Sequence, residues 1–96
     1  SNLMITSSVT TSAATLNINT NYYGVNYNGN VEITLPNPGG YDGYNINIKD
    51  EGGNASIYRI RLIPSSGLID GTNYVDMNTN YMSLHIVARN NNWWII

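Results

Sequence analysis

Apart from its tyrosines, the ionisable side chains of this 96-residue chain are four cations, six carboxylates and one histidine. Asp50 and Glu51 stand next to each other, with Asp70 and Asp76 further along. Carboxylates are the ligands that Ca²⁺ takes, but calcium loops space them densely around a glycine turn. That spacing is missing, so these acids are read as turn and surface residues and no metal is assigned. Glycoside cleavage needs two acids that converge on a cleft. Only Asp50 and Glu51 are adjacent, and neighbours in a strand leading into a turn diverge. No catalytic residue is assigned, no cofactor is expected, and the chain is read as a non-enzyme. His85 lies among polar residues with no Ser or Cys motif to activate, which makes it a surface or interface residue. Arg59 and Arg61 point to the same side of one strand, free to be solvated or to meet acids of a neighbouring subunit.

The aromatic set is more informative. Tyr and Trp combine apolar area with a hydrogen-bonding tip, so they anchor interfaces and stack on sugars. The chain has eight Tyr, two Trp and no Phe, so part of this set must fill the core. Tyr23, Tyr44, Tyr58 and Trp93 are assigned there. Tyr22, Tyr41, Tyr74 and Trp94 are kept as interface or ligand candidates, together with Arg59, Arg61 and His85.

These residues are positioned by strands. In residues 44–64, Tyr44, Ile46 and Ile48 alternate with Asn45, Asn47 and Lys49, and Tyr58, Ile60 and Leu62 alternate with Arg59 and Arg61. A period of two marks a strand with one buried face. Residues 50–54, Asp-Glu-Gly-Gly-Asn, are turn chemistry, so the two runs are expected to pair antiparallel across a loop. Asn28-Gly29 is the strongest hairpin signal in the chain. Leu3-Met4-Ile5 is expected as a short strand and residues 7–13 as a connector. Turn signals recur often enough for roughly eight to ten short strands, the spacing of a sandwich or barrel. The expected fold is all-β, a compact antiparallel β-sandwich of jelly-roll-like type. Residues 1–13 are expected to form an entry or linker segment, with Ser1-Asn2 as a cloning scar, and residues 14–96 the sandwich domain.

Composition narrows the partners. Charged residues are only 10% of the chain and net charge is −2. A protein without a basic footprint is a poor nucleic-acid ligand. Cysteine is absent, which removes disulfides and thiolate metal sites. No apolar run has transmembrane length, so membrane insertion is not expected. A surface of Asn, Thr and Ser with little charge suits an extracellular or fibrous setting better than an intracellular monomer.

Six stretches taken together resemble a β-module of phage and large-virus tail-fibre, spike and related virion proteins. They are Tyr22-Tyr23-Gly24-Val25-Asn26-Tyr27, Ile33-Thr34-Leu35-Pro36, residues 48–55 (Ile-Lys-Asp-Glu-Gly-Gly-Asn-Ala), Ile69-Asp70-Gly71, Asn80-Tyr81-Met82-Ser83-Leu84 and Asn92-Trp93-Trp94-Ile95-Ile96. Their order fits from about Ala14 onward. The chain departs from the family pattern at Gly52, where a small polar residue is expected, and at Trp94, where tyrosine is expected. The resemblance implies a β-sandwich near the C-terminal end of a fibre, a homotrimer, a virion location and no shared catalytic residues. It also implies an apolar first and a water-tolerant second position in the Trp pair, hence Trp93 inward and Trp94 outward. A host-surface glycan or receptor is the expected further partner. The rival expectation is a monomeric carbohydrate-binding module of a secreted bacterial protein.

Overall fold

The computed structural model describes residues 3–96; Ser1-Asn2, and with them the cloning-scar expectation, lie outside the described residues. Nine strands and no helix are present among the described residues: β1 (Thr6–Val9), β2 (Ala13–Thr15), β3 (Tyr22–Val25), β4 (Val31–Leu35), β5 (Asn45–Asp50), β6 (Ile60–Pro64), β7 (Val75–Met77), β8 (Ser83–Arg89) and β9 (Asn92–Ile95). They form two sheets, one of five strands in the order β1-β3-β5-β8-β9 and one of four in the order β2-β4-β6-β7. The period-two pattern appears directly as burial. In β5, Ile46, Ile48 and Asp50 are buried between half-buried neighbours, and in β4 Val31, Ile33 and Leu35 are buried. One core joins the sheets, with Ile33, Leu35, Ile48, Leu62, Ile86 and Trp93 at or near zero exposure.

The all-antiparallel order expected for the sandwich is overturned. Four of the seven strand pairings are parallel: β1 with β3, β3 with β5, β2 with β4, and β4 with β6. The first six strands enter the two sheets alternately, so the chain winds as three stacked coils, each contributing one strand to each sheet. Antiparallel pairs close the stack: β6 with β7, β5 with β8, and β8 with β9.

Three local expectations change with this topology. The runs in residues 44–64 are strands β5 and β6, but they lie in different sheets and do not pair. Asn28-Gly29 carries the chain from β3 in one sheet to β4 in the other, and neither residue has positive φ. The type I′ signature is found elsewhere. Asp70-Gly71 (φ 47° and 77°) sits between Ile69 and Thr72, whose backbones exchange two hydrogen bonds of 2.9 Å. Asn90-Asn91 (φ 52° and 63°) joins β8 to β9. Positive φ at both central residues gives the twist a two-residue hairpin needs. The third change is at the N-terminal side. Leu3-Met4-Ile5 is exposed and outside the strands, while most of the expected connector forms β1 and the start of β2.

Candidate functional site

The outward face of the five-stranded sheet collects the uncharged and aromatic candidates. Alternation puts Tyr22 and Gly24 of β3, Asn45, Asn47 and Lys49 of β5, Ser83, His85 and Val87 of β8, and Trp94 of β9 on that side. Register sets them in rows. Tyr22 lies beside Asn47 and Asn47 beside His85, while Asn45 lies beside Val87 and Val87 beside Trp94. Ile96 continues the His85 row, donating its N–H to the His85 carbonyl at 2.8 Å. Three sequence candidates, Tyr22, His85 and Trp94, therefore share one face within a few strand widths of about 4.8 Å.

Each of the three is held by a local contact. His85 Nε2 is 3.0 Å from Asn45 Oδ1, which fixes the ring along the sheet. Trp94 donates Nε1–H to the Arg89 carbonyl at 2.9 Å, and the residue is 39% exposed. The Tyr22 hydroxyl donates to Glu51 Oε2 at 2.7 Å. That bond to a carboxylate, aided by burial and the Glu51 charge, pushes the phenol pKa above its ordinary value. Glu51 reaches this position because Gly24 has no side chain: a Cβ there would come within 2.0 Å of Glu51 Oε1. The sequence analysis had no role for Glu51 or Gly24 in this face. Their pairing depends on β3 lying beside β5, which alternation does not encode.

The adjacent tryptophans do face opposite ways. Trp93 is fully buried, donates Nε1–H to the Pro36 carbonyl at 3.1 Å, and meets the Tyr44 ring edge-on at a centroid distance of 6.4 Å. Tyr23 is buried, while Tyr44 and Tyr58 are half-buried. The Tyr44 hydroxyl donates to the Thr20 carbonyl, and burial holds its pKa above the ordinary value.

The basic candidates belong to the other sheet. Arg61 grips Asp76 with two bonds, Nε to Oδ1 at 2.7 Å and Nη2 to Oδ2 at 3.0 Å. Its guanidinium also lies 4.0 Å from the centre of the Tyr74 ring. The hydrogen bond from Arg61 lowers the Asp76 pKa, and the same bond raises that of Arg61. Arg59 stands 3.8 Å from Glu32. The acids that meet both arginines are thus found within the same chain. Tyr41 is exposed in the β4–β5 loop, where the next residue, Asp42, accepts the Asn90 N–H of the β8–β9 turn at 3.1 Å.

Asp50, considered above as an oxygen ligand, is occupied otherwise. It is 1% exposed, and its oxygens accept the backbone N–H groups of Gly53 at 3.1 Å, Ala55 at 3.0 Å and Tyr81 at 3.0 Å. Among the described residues, no three His, Asp or Glu side chains cluster as a metal site would require. The chain matches no protein-family model, and no curated protein matches it significantly in sequence.

Proposed function

We propose that this chain is a non-catalytic virion module, the head domain of a trimeric fibre or spike that stabilises the trimer and contributes to host-surface attachment. The observation that carries this reading is the outward face of the five-stranded sheet, where Trp94, Val87 and Ile96 lie with His85, Asn45 and Asn47 and charge stands toward the strand ends, in Lys49, Glu51 and Arg89. Interface centres are enriched in aromatic residues and depleted of charge, and this face has both properties. The protomer measures 35 × 34 × 20 Å, so one broad face can supply the roughly 800 Å² per partner that a specific interface buries. The resemblance of the six sequence stretches to fibre and spike modules supplies the choice of a trimer. The four parallel pairings depart from the antiparallel Greek keys of a jelly roll, so the module is proposed as a two-sheet β fold without that kinship.

Light scattering after size-exclusion chromatography tests the reading. A trimer that Trp94→Ala dissociates is the expected result. A mass of one protomer at every concentration up to the millimolar range overturns it. A monomer that binds a defined sugar on a glycan array would instead establish a carbohydrate-binding module.

A further inference from the structure

The stack of coils ends differently on its two sides. On the β9 side, the edge groups are already used. Trp93 N–H donates to the Leu68 carbonyl at 2.8 Å, Asp70 N–H to the Trp93 carbonyl at 3.1 Å, and Ile95 N–H to Asp70 Oδ1 at 3.0 Å. The matching edge of the other sheet, β7, carries Asp76 and its Arg61 partner. On the opposite side, β1 and β2 are the edges of both sheets at once. Ile5 and Val9 turn their carbonyls toward β3, accepting from Tyr22 N–H at 3.2 Å and Asn26 N–H at 2.9 Å. The N–H and C=O of a strand residue point to the same side and alternate along the strand, so Thr6 and Ser8 direct theirs away from β3. Ser12 and Leu16 bond to Glu32 and Thr34 of β4, so Ala13 and Thr15 direct their backbone groups away from the four-stranded sheet.

Edges are normally protected by charge, proline or bulges. Here the first charged residue is Glu32 and the first proline is Pro36. Leu3 and Ile5 stand at the same parity as Val9. Val9 is 4% exposed, while Leu3 is 87% and Ile5 60% exposed. Among the described residues, two parallel edges thus face outward at one end, where the Ala13 carbonyl accepts from Thr11 Oγ1–H at 2.8 Å and Leu3 and Ile5 lie exposed. A lone strand would satisfy only one sheet. A coil satisfies both, because β3 and β4 meet β1 and β2 in that manner from the other side.

We propose that this end is a docking surface for one further coil of the same type. The occupant is an uncharged segment rich in Ser, Thr and Asn that lays one strand parallel to β1 and the next parallel to β2. Its source is the fibre shaft, an assignment that rests on the proposed function, whereas the two open edges do not. Main-chain hydrogen bonds give such strand addition its affinity.

The test inserts a second copy of residues 6–21 between Ile5 and Thr6 of the full chain, repeating the interval that separates Thr6 from its partner Tyr22. Hydrogen exchange of the original Thr6, Ser8, Ala13 and Thr15 amides is then compared with the unextended chain. The expected result is slowing by at least about tenfold, since the open population falls to about one tenth for each 1.4 kcal/mol of protection, together with a higher Tm. A control carries Ser7→Pro and Ala14→Pro in the inserted copy only, removing donors that face the original edges; there the slowing should vanish. Unchanged exchange in the extended chain, or equal slowing in the proline control, overturns the proposal. Slowing that already appears in the unextended chain and falls on dilution would identify a second copy as the occupant and also overturns it. An ordered inserted coil on a monomeric protein keeps this inference and removes the trimer, while a trimer with an unprotected inserted coil does the reverse.

Discussion

Replacing Asp50 with alanine should be among the most damaging single changes in this protein. Its carboxylate ties three backbone donors from two separate segments, Gly53 and Ala55 in the β5–β6 loop and Tyr81 in the turn before β8. Tyr81 has φ 63°, a left-handed conformation that a bulky side chain adopts at a cost of order 1–3 kcal/mol. It is held there by Asp50 on its N–H and by Lys49 Nζ on its carbonyl. Alanine leaves all three donors in place with no acceptor. A buried donor left unsatisfied costs about 1–3 kcal/mol. Two of these three donors are only part-buried and can recruit water, so the loss should be about 3–5 kcal/mol rather than the upper sum. That is a large share of the roughly 5–15 kcal/mol that holds a domain of this kind together. The unfolding entropy of a chain of 96 residues corresponds to about 5 °C per kcal/mol, so Tm should fall by about 15–25 °C. Asp50→Asn retains one oxygen, which can still serve Ala55 and Tyr81, and turns an amide donor toward Gly53; its loss should be about 1–3 kcal/mol. Urea and thermal unfolding of both variants, followed by circular dichroism, measure this. An alanine variant within about 1 kcal/mol of the parent, the effect of an ordinary substitution, would refute the clamp. An asparagine variant as damaged as alanine would refute the acceptor count.

Other changes test neighbouring parts of the structure. Gly53→Ala places a side chain at φ 71° with its Cβ 2.2 Å from Tyr81 Cζ; the exposed ring can swing aside, so the loss in urea unfolding should be about 1–2 kcal/mol, the left-handed penalty for an L-residue. Trp93→Ala should cost about 3–5 kcal/mol in the same assay, as removal of a large core aromatic does, whereas Trp94→Ala should leave protomer melting near the parent value and weaken assembly by light scattering. The Asp76 pKa is lower in the folded state than in the unfolded chain because Arg61 donates to it. Its contribution is therefore fully present above the unfolded value of about 4 and is lost as pH falls through the folded value. Asp76→Asn should remove that part of the acid sensitivity, seen as a shallower fall of Tm below about pH 4.

Much of the fold was readable from residue alternation, and the rest was not for a definite reason. A period of two says which side chains share a face; it does not say which strand lies alongside. Residues 44–64 show both halves of this. Ile46, Ile48, Ile60 and Leu62 are buried as alternation requires, yet their strands sit in different layers. Asn28-Gly29 and Asn90-Asn91 make the same point about turns. Each pair tolerates positive φ, but only the second adopts it, because only there does the next strand return beside its predecessor in the same sheet. The outward position of Trp94 followed from its inward neighbour. The juxtaposition of Tyr22 and His85 did not, since it depends on how much chain each coil takes before Tyr22 meets Asn47 and Asn47 meets His85.

The parallel stack also gives a physical reason for the low charge that the sequence shows from the start. In such a stack an outward side chain lies about 4.8 Å from its counterpart in the next coil, so charges of one sign in equivalent positions would face each other across every step. Like charges directly opposite destabilise a sheet. On the five-stranded sheet Lys49 has no like charge beside it: its cross-strand neighbours are Gly24 and Ser83, and the carboxylate that lies over Gly24 is that of Glu51, of opposite sign. On the four-stranded sheet charge does cross the strands, and there its sign alternates: Glu32 of β4 lies beside Arg61 of β6, and Arg61 beside Asp76 of β7. Asn, Ser and Thr elsewhere carry no such restriction. They can repeat from coil to coil; the open edges of β1 and β2 are uncharged in the same way, built of Ser, Thr, Ala and Val, and a further coil would need a side of that kind there.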